Sequence, residues 1–188
     1  MDNFIPDRKT TRLTDGKILL RPYEKKDIDD LHQATIASLK ELIPWMPWAF
    51  EGYSLAQSRF WIKNTLKNWQ DGREYNFAIY DAVSSGFLGA AGINEISPVN
   101  NTANLGYWVR SDRTGQGIAV AATKLLAKWG FDVLKLNRIS IHVAVDNVRS
   151  LRVAEKSGAK REGVLRNKML LNGKIHDSIM HSLIPGEV

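Results

Sequence analysis

No cysteine occurs among the 188 residues. Disulfides, thiolate metal sites and a cysteine nucleophile are therefore excluded. Long apolar runs are also missing. Nothing approaches the ~18 consecutive apolar residues of a membrane span, and the stretch MDNFIPDRKT at the start lacks an apolar run of signal-peptide length. These absences predict a soluble chain in a reducing, cytoplasmic setting, off the membrane. Histidine is scarce: His32, His142, His176 and His181 form no ligand pattern with carboxylates, so no metal is expected.

What remains is an ordinary globular mixture, 44% hydrophobic and 24% charged, long enough for a single domain over residues 1–188. The net charge of +6 attracts anions mildly. The lysines are dispersed and accompanied by acids, as in EKKD at 24–27, which reads as a solvated surface rather than a nucleic-acid stripe. No repeat or linker divides the chain, and its oligomeric state, monomer or homodimer, is not legible.

Periodicity orders the elements. KILLRPY (17–23) reads as a strand and residues 24–39 as a helix with Ile28, Leu31, Ile36 and Leu39 on one face. IPWMPWAF (43–50) is a proline-broken aromatic loop, and Ser54 caps a helix to about Trp69, with Phe60, Leu66 and Trp69 among its apolar positions. Strands follow at 75–81, 86–96 and 103–110. A helix from Ile118 turns Ala121, Ala122, Leu125 and Trp129 inward, and Ile139, Ile141, Val143 and Val145 alternate along the next strand. A short helix capped by Asp146 or Asn147 stops at Gly158. Two final strands, near 163–171 and 174–183, meet at Asn172-Gly173, the favoured type I′ pair. The strand–helix–strand crossover from 103 to 145 implies one parallel pair inside an otherwise antiparallel sheet, a mixed α/β layer fold.

The segment RTGQGIAV (113–120) bends between a strand and a helix. A helix start leaves backbone N–H groups unpaired and carries partial positive charge. Glycines there let an anion approach, so the bend is a candidate phosphate seat assisted by Arg113. A dinucleotide fingerprint would need glycine where Val120 stands and an acid near Lys135; a nucleotide P-loop would need lysine and a hydroxyl where Ile118 and Ala119 stand. A plain tight turn is the remaining reading of the bend alone.

The bend follows LGYWV and precedes DNVRS and AEKSG, with LNGKIHD near the end. In that combination the chain, from about residue 12 to 184, resembles the GNAT superfamily of acetyl-CoA-dependent N-acetyltransferases, and within it the RimJ/RimL branch, whose best-known members acetylate N-termini of ribosomal proteins. The resemblance implies a sheet whose central parallel strands splay, with helices on both faces. Trp108, Val109 and Arg110 would offer strand backbone to the pantetheine arm of acetyl-CoA. The segment Arg113, Thr114, Gly115, Gln116, Gly117, Ile118 and Ala119 would hold the pyrophosphate. An N–H near Val109 would polarise the thioester, and Asn147 would touch the cofactor arm. Many relatives carry a tyrosine where Ala154 stands, which raises Ser150 as the substitute acid for the leaving thiolate. Relatives often place a glutamate in the slot of Asn104, which leaves Glu95 as the nearest candidate base. Trp45 and Trp48 would flank the acceptor.

The missing strong base bears on the acceptor. About a tenth of an α-amine of pKa ~8 is neutral at pH 7, whereas a lysine amine costs roughly 4–5 kcal/mol to deprotonate there. The expected function is acetyl transfer from acetyl-CoA to a primary amine, a protein N-terminus in the first instance and a ribosomal one by resemblance. A small amine, amino acid or amine-bearing antibiotic is the alternative acceptor. A non-catalytic acyl-CoA sensor is the alternative class.

Overall fold

The computed structural model describes residues 4–187. Eight strands form one sheet, in the order β1-β2-β3-β4-β5-β6-β8-β7. β1 (Leu13–Thr14) and β2 (Ile18–Pro22) are joined by a tight turn at Gly16, in which Asp15 Oδ1 accepts the N–H groups of Lys17 and Ile18 at 2.9 Å. The two-residue β1 is too short to leave a periodic signature.

The helix expected over 24–39 is broken into a 3₁₀ turn (Lys25–Asp27), α1 (Ile28–Ala37) and α2 (Leu39–Leu42). Its hinge is Ser38, which leaves the helical region at φ −116°, ψ 6°. The 3₁₀ turn is pinned to the sheet by a buried ion pair. Arg21 Nη1 and Nη2 donate to Asp27 Oδ2 and Oδ1 at 2.8 and 2.7 Å, and Tyr80 Oη donates to Oδ1 at 3.0 Å. Burial alone would raise the Asp27 pKa; the hydrogen bonds from Arg21 and the Glu24 amide outweigh it and leave the carboxyl below its ordinary value.

α3 (Leu55–Gln70) starts at a capping box: Ser54 accepts from the Ala56 amide, and Gln57 Oε1 accepts from the Ser54 amide at 3.0 Å. Its apolar positions divide. Trp69 is buried, while Phe60 is 67% exposed rather than packed in the interior, contrary to the sequence pattern.

β3 (Tyr75–Asp81), β4 (Phe87–Ser97) and β5 (Thr102–Val109) continue the antiparallel meander. α4 (Ile118–Asp132) then crosses to β6 (Arg138–Ala144), which runs parallel to β5. α5 (Val148–Lys156) leads to the closing hairpin of β7 (Lys160–Leu171) and β8 (Lys174–Leu183). Asn172 and Gly173 have φ of 50° and 74°, as the type I′ turn requires.

Two cores lie against the sheet. Odd-numbered β5 side chains, Ala103 and Leu105, join Ile139, Ile141 and Val143 beneath α4, where Ala122, Leu126 and Trp129 are buried. Trp69, at the end of α3, joins this cluster edge-on to Tyr75 and Phe77. The even-numbered Trp108 joins Leu31 of α1, Ile62 of α3, Tyr80 and Phe87 in the second cluster. Helices thus cover both faces. No helix of the described residues is long and apolar enough to cross a membrane.

Candidate active site

β5 and β6 pair only at Thr102–Arg138, Ala103–Ile139 and Asn104–Ser140, and then part. Beyond that point β5 stays with β4 and β6 stays with β8. The parting exposes backbone. Arg110 N–H donates to Leu88 O at 2.9 Å, so by antiparallel alternation Trp108 and Gly106 exchange hydrogen bonds with Ala90 and Gly92. The N–H and C=O groups of Leu105, Tyr107 and Val109 therefore face the gap. A buried backbone edge without a ladder partner is a recognition surface for amides.

The gap opens into a cavity of about 650 Å³. Gly106, Tyr107 and Trp108 of β5, His142 and Val143 of β6, and Asn147 and Ser150 of α5 line it, with Trp45 and Trp48 across from them. Trp48 packs against Trp108 and Tyr53 with ring centroids 5.8 and 6.1 Å apart. These contacts fix the proline-broken loop as a cavity wall.

A pair of hydroxyls lies at the centre of the site. Tyr107 Oη is 3.0 Å from Ser150 Oγ, with either atom able to donate, and also 3.0 Å from the Ser150 carbonyl oxygen, to which it donates. Burial pushes the Tyr107 phenol up to about 12, against the opposing effect of the Ser150 hydrogen bond. It is a protonated donor at neutral pH. Tyr107 belongs to the LGYWV stretch, where the sequence pattern alone gives it no role. The available signal was its odd position on β5, which turns it to the α4–α5 face where Ser150 emerges.

Asn147 is the N-cap of α5: its Oδ1 accepts the Ser150 amide at 3.1 Å. That bond settles the choice between Asp146 and Asn147 as cap and orients Ser150. Ala154 is fully buried and does not line the cavity.

The glycine bend follows β5, outside the cavity lining. Gly117 is the N-cap of α4 in the left-handed region at φ 81°, and Gly115 stands at φ 78°. An added Cβ would meet nothing within 4 Å at either position, leaving open space above the helix start. Ala121 N–H reaches Gly117 O at 3.0 Å, whereas the amides of Ile118, Ala119 and Val120 precede the first helical bond. Thr114, Gln116 and Arg113 are exposed beside them. Arg110 is engaged elsewhere, donating from Nε and Nη2 to Asp112 at 3.0 Å.

Glu95 is exposed, at φ 48° in the irregular end of β4, and does not line the cavity. His142 does line it. Burial, followed by the charge of Lys168, lowers its pKa against the opposing pull of Glu95, so the imidazole is neutral at pH 7. Asn104 donates to Asn94 Oδ1 at 2.8 Å, and its own Oδ1 is buried with no partner among the described residues. Among these residues no cluster of three or more histidine and acidic side chains could hold a metal.

This combination, a mixed sheet splayed at one parallel pair with a glycine-rich helix start beside the gap, defines an acyltransferase architecture. The Acetyltransferase (GNAT) domain family matches residues 17–160, and the chain belongs to that family. It is an N-acetyltransferase of the RimJ/RimL-like kind. A Bacillus subtilis (strain 168) protein, YdaF, named as a proposed ribosomal N-acetyltransferase, is 31% identical over 90% of this chain and 92% of its own. The structure of Mycobacterium smegmatis RimJ with a CoA disulfide superposes with a TM-score of 0.84 at 25% identity, covering 95% of this chain and 88% of that one. The microcin C7 self-immunity acetyltransferase MccE, solved with acetyl-CoA and AMP, gives a TM-score of 0.84 at 26% identity, covering 91% and 93%.

Proposed function

We propose that this enzyme transfers an acetyl group from acetyl-CoA to the N-terminal α-amine of a protein, a ribosomal one in the first instance, by direct attack in a ternary complex. The observation that carries this reading is the Tyr107–Ser150 hydroxyl pair beside the unpaired β5 edge.

The residues fit such a donor. Leu105, Tyr107 and Val109 offer backbone partners to a pantetheine arm. The amides from Ile118 to Val120, with Arg113 and the left-handed glycines 115 and 117, suit a pyrophosphate. Acetyl-CoA, when bound, supplies an acyl carbon attached to a good leaving group. Val109 N–H then serves to polarise the acyl oxygen. Ser150 Oγ, backed by Tyr107 Oη, holds a proton for the departing sulfur. The acceptor nitrogen attacks as the free amine, forming the C–N bond as the C–S bond breaks, and its surplus proton leaves through water. CoA and acetyl-CoA bound to similar structures support the donor, and the names of YdaF and RimJ support the acceptor.

Among the described residues no carboxylate hydrogen-bonds to the hydroxyl pair, which favours an amine that is partly neutral already. A cytoplasmic location accords with this acceptor. The test is thiol release from acetyl-CoA with peptides of one sequence, carrying either a free α-amine with a blocked lysine or the reverse. Turnover should favour the α-amine. A clear lysine preference would overturn the assignment, and CoA binding without release by peptides, polyamines, amino acids or aminoglycosides would leave the sensor reading.

A further inference from the structure

The cavity is electrostatically one-sided. Its lining contains no lysine or arginine and one acid, Glu74, although the chain as a whole carries +6. Glu74 lies one residue before β3 and is half-buried. Its Oε2 accepts hydrogen bonds from Asn68 Nδ2 at 3.1 Å and Asn76 Nδ2 at 3.2 Å. Both partners are neutral amides. No basic side chain among the described residues pairs with the carboxylate, so its charge is oriented but not neutralised.

The surroundings serve that orientation. Asn76 is buried and pairs across the sheet with Gly92, where an added Cβ would come 2.1 Å from Asn76 Oδ1. Glycine at 92 leaves the room in which the amide lies. The neighbouring rung adds Asn104 Oδ1, a buried acceptor still lacking a donor. Trp45, Trp48, Phe50, Tyr53 and Trp61 line the same cavity. The carboxylate and the carbonyl oxygen of Asn104 give this end of it acceptors suited to an ammonium or guanidinium group.

Glu74 is too remote to touch the reacting nitrogen. β3 pairs with β4 and β4 with β5, and the Tyr107 rung meets β3 at Phe77, three residues along from Glu74; two inter-strand steps of ~4.8 Å and three rises of ~3.4 Å put roughly 14 Å between the two backbones. The remoteness is chemically useful. A carboxylate beside the nucleophile would hold it as ammonium, whereas one this far away retains a second charge that never has to lose its proton.

We propose that Glu74 is a specificity-determining residue that anchors a second cationic group of the acceptor, roughly 14 Å from the strand position of Tyr107 beside which the amine is acetylated. The acceptor class is therefore a dication: a peptide whose third residue is lysine or arginine, or a small diamine of that span. The acetylation step rests on the reading in the preceding subsection; the anchor does not.

Two measurements separate them. The first is calorimetric binding of 1,10-diaminodecane and of decylamine to the CoA-loaded protein and to Glu74→Gln. The diamine should bind at least tenfold more tightly than decylamine to the native protein, and the difference should fall to within about twofold in the variant. The second is thiol release with peptides differing only in lysine or norleucine at the third residue. The lysine peptide should show at least tenfold higher kcat/KM, with the ratio collapsing in Glu74→Gln. A preference for peptide over diamine, or the reverse, identifies the source of the dication. Equal binding of the two amines to the native protein, or a preference that survives Glu74→Gln, overturns the anchor. Glu74-dependent diamine binding without any thiol release upholds the anchor and overturns the transfer reading.

Discussion

Tyr107 and Ser150 are joined oxygen to oxygen at 3.0 Å, so the proton each could deliver is shared. Removing either hydroxyl should remove most of what the pair does. A positioned acid–base group contributes typically ~10²–10⁴-fold, and a thiolate leaves readily, so a loss of about tenfold in kcat is expected for Ser150→Ala and for Tyr107→Phe. The double variant should lose little more, because residues acting as a unit are not additive. Affinity for CoA should stay nearly constant in all three, since the hydroxyls matter as charge develops on sulfur. Single-turnover kinetics read the outcome. Losses that multiply in the double variant would show two independent roles. Because burial holds Tyr107 up to about 12, its ionisation should leave no break in the rate profile between pH 7 and 9.

The start of α4 concentrates its function in backbone geometry. Gly117 stands at φ 81°, a region that costs an ordinary L-residue roughly 1–2 kcal/mol. Gly117→Val would therefore mix backbone strain with obstruction of the anion. Asparagine tolerates the left-handed region, so Gly117→Asn isolates the second effect. It adds a side chain where open space now lies above the amides of Ile118 to Val120. The expected result is at least tenfold weaker CoA binding by calorimetry with a melting temperature close to that of the native protein. Unchanged affinity would show that the phosphates lie elsewhere, and a large fall in melting temperature would show that the cap itself tolerates nothing but glycine.

Between pH 7.5 and pH 5.5 the pH sensitivity of the described residues lies in two imidazoles, one buried and one half-buried. His181 is fully buried with neither ring nitrogen partnered among the described residues, and His142 lines the cavity. Burial is the leading cause that lowers both pKa values. For His142 the charges facing it are Lys168 and Arg138, which lower it further, and Glu95, which opposes; for His181 they are Arg161, which lowers it, and Glu155, which opposes. Below about pH 6.5 the unfolded chain then binds protons more readily than the folded one. The stability is complete above that value and is lost as pH falls toward the lowered folded-state values. The melting temperature should decline from pH 7.5 to pH 5.5, and His181→Leu should flatten the decline. A slope identical to that of the native protein would remove His181 from the account.

Much of this architecture is local and was readable from the chain alone. Capping at Ser54, the type I′ pair Asn172-Gly173, the alternation through Ile139, Ile141 and Val143, and the glycines before α4 each act over a few residues, where periodicity and backbone sterics decide the outcome. The family motifs are local in the same sense. Phe60 and Ser38 mark the limit of such reading: an apolar residue at a helical position does not state which face will be covered, and a hydrophobic pattern can run through a hinge. The contents of the site lie beyond that limit. Nothing near Tyr107 in the chain points to Ser150, nothing near Glu74 points to Asn104, and Glu95 carries no mark that it will stay outside. Those relations depend on strand register and on where β5 and β6 stop pairing. The elements follow from short-range sterics and burial preference, whereas the placement of the hydroxyl pair and the lone carboxylate follows from cross-strand packing between distant segments, which only the assembled sheet specifies.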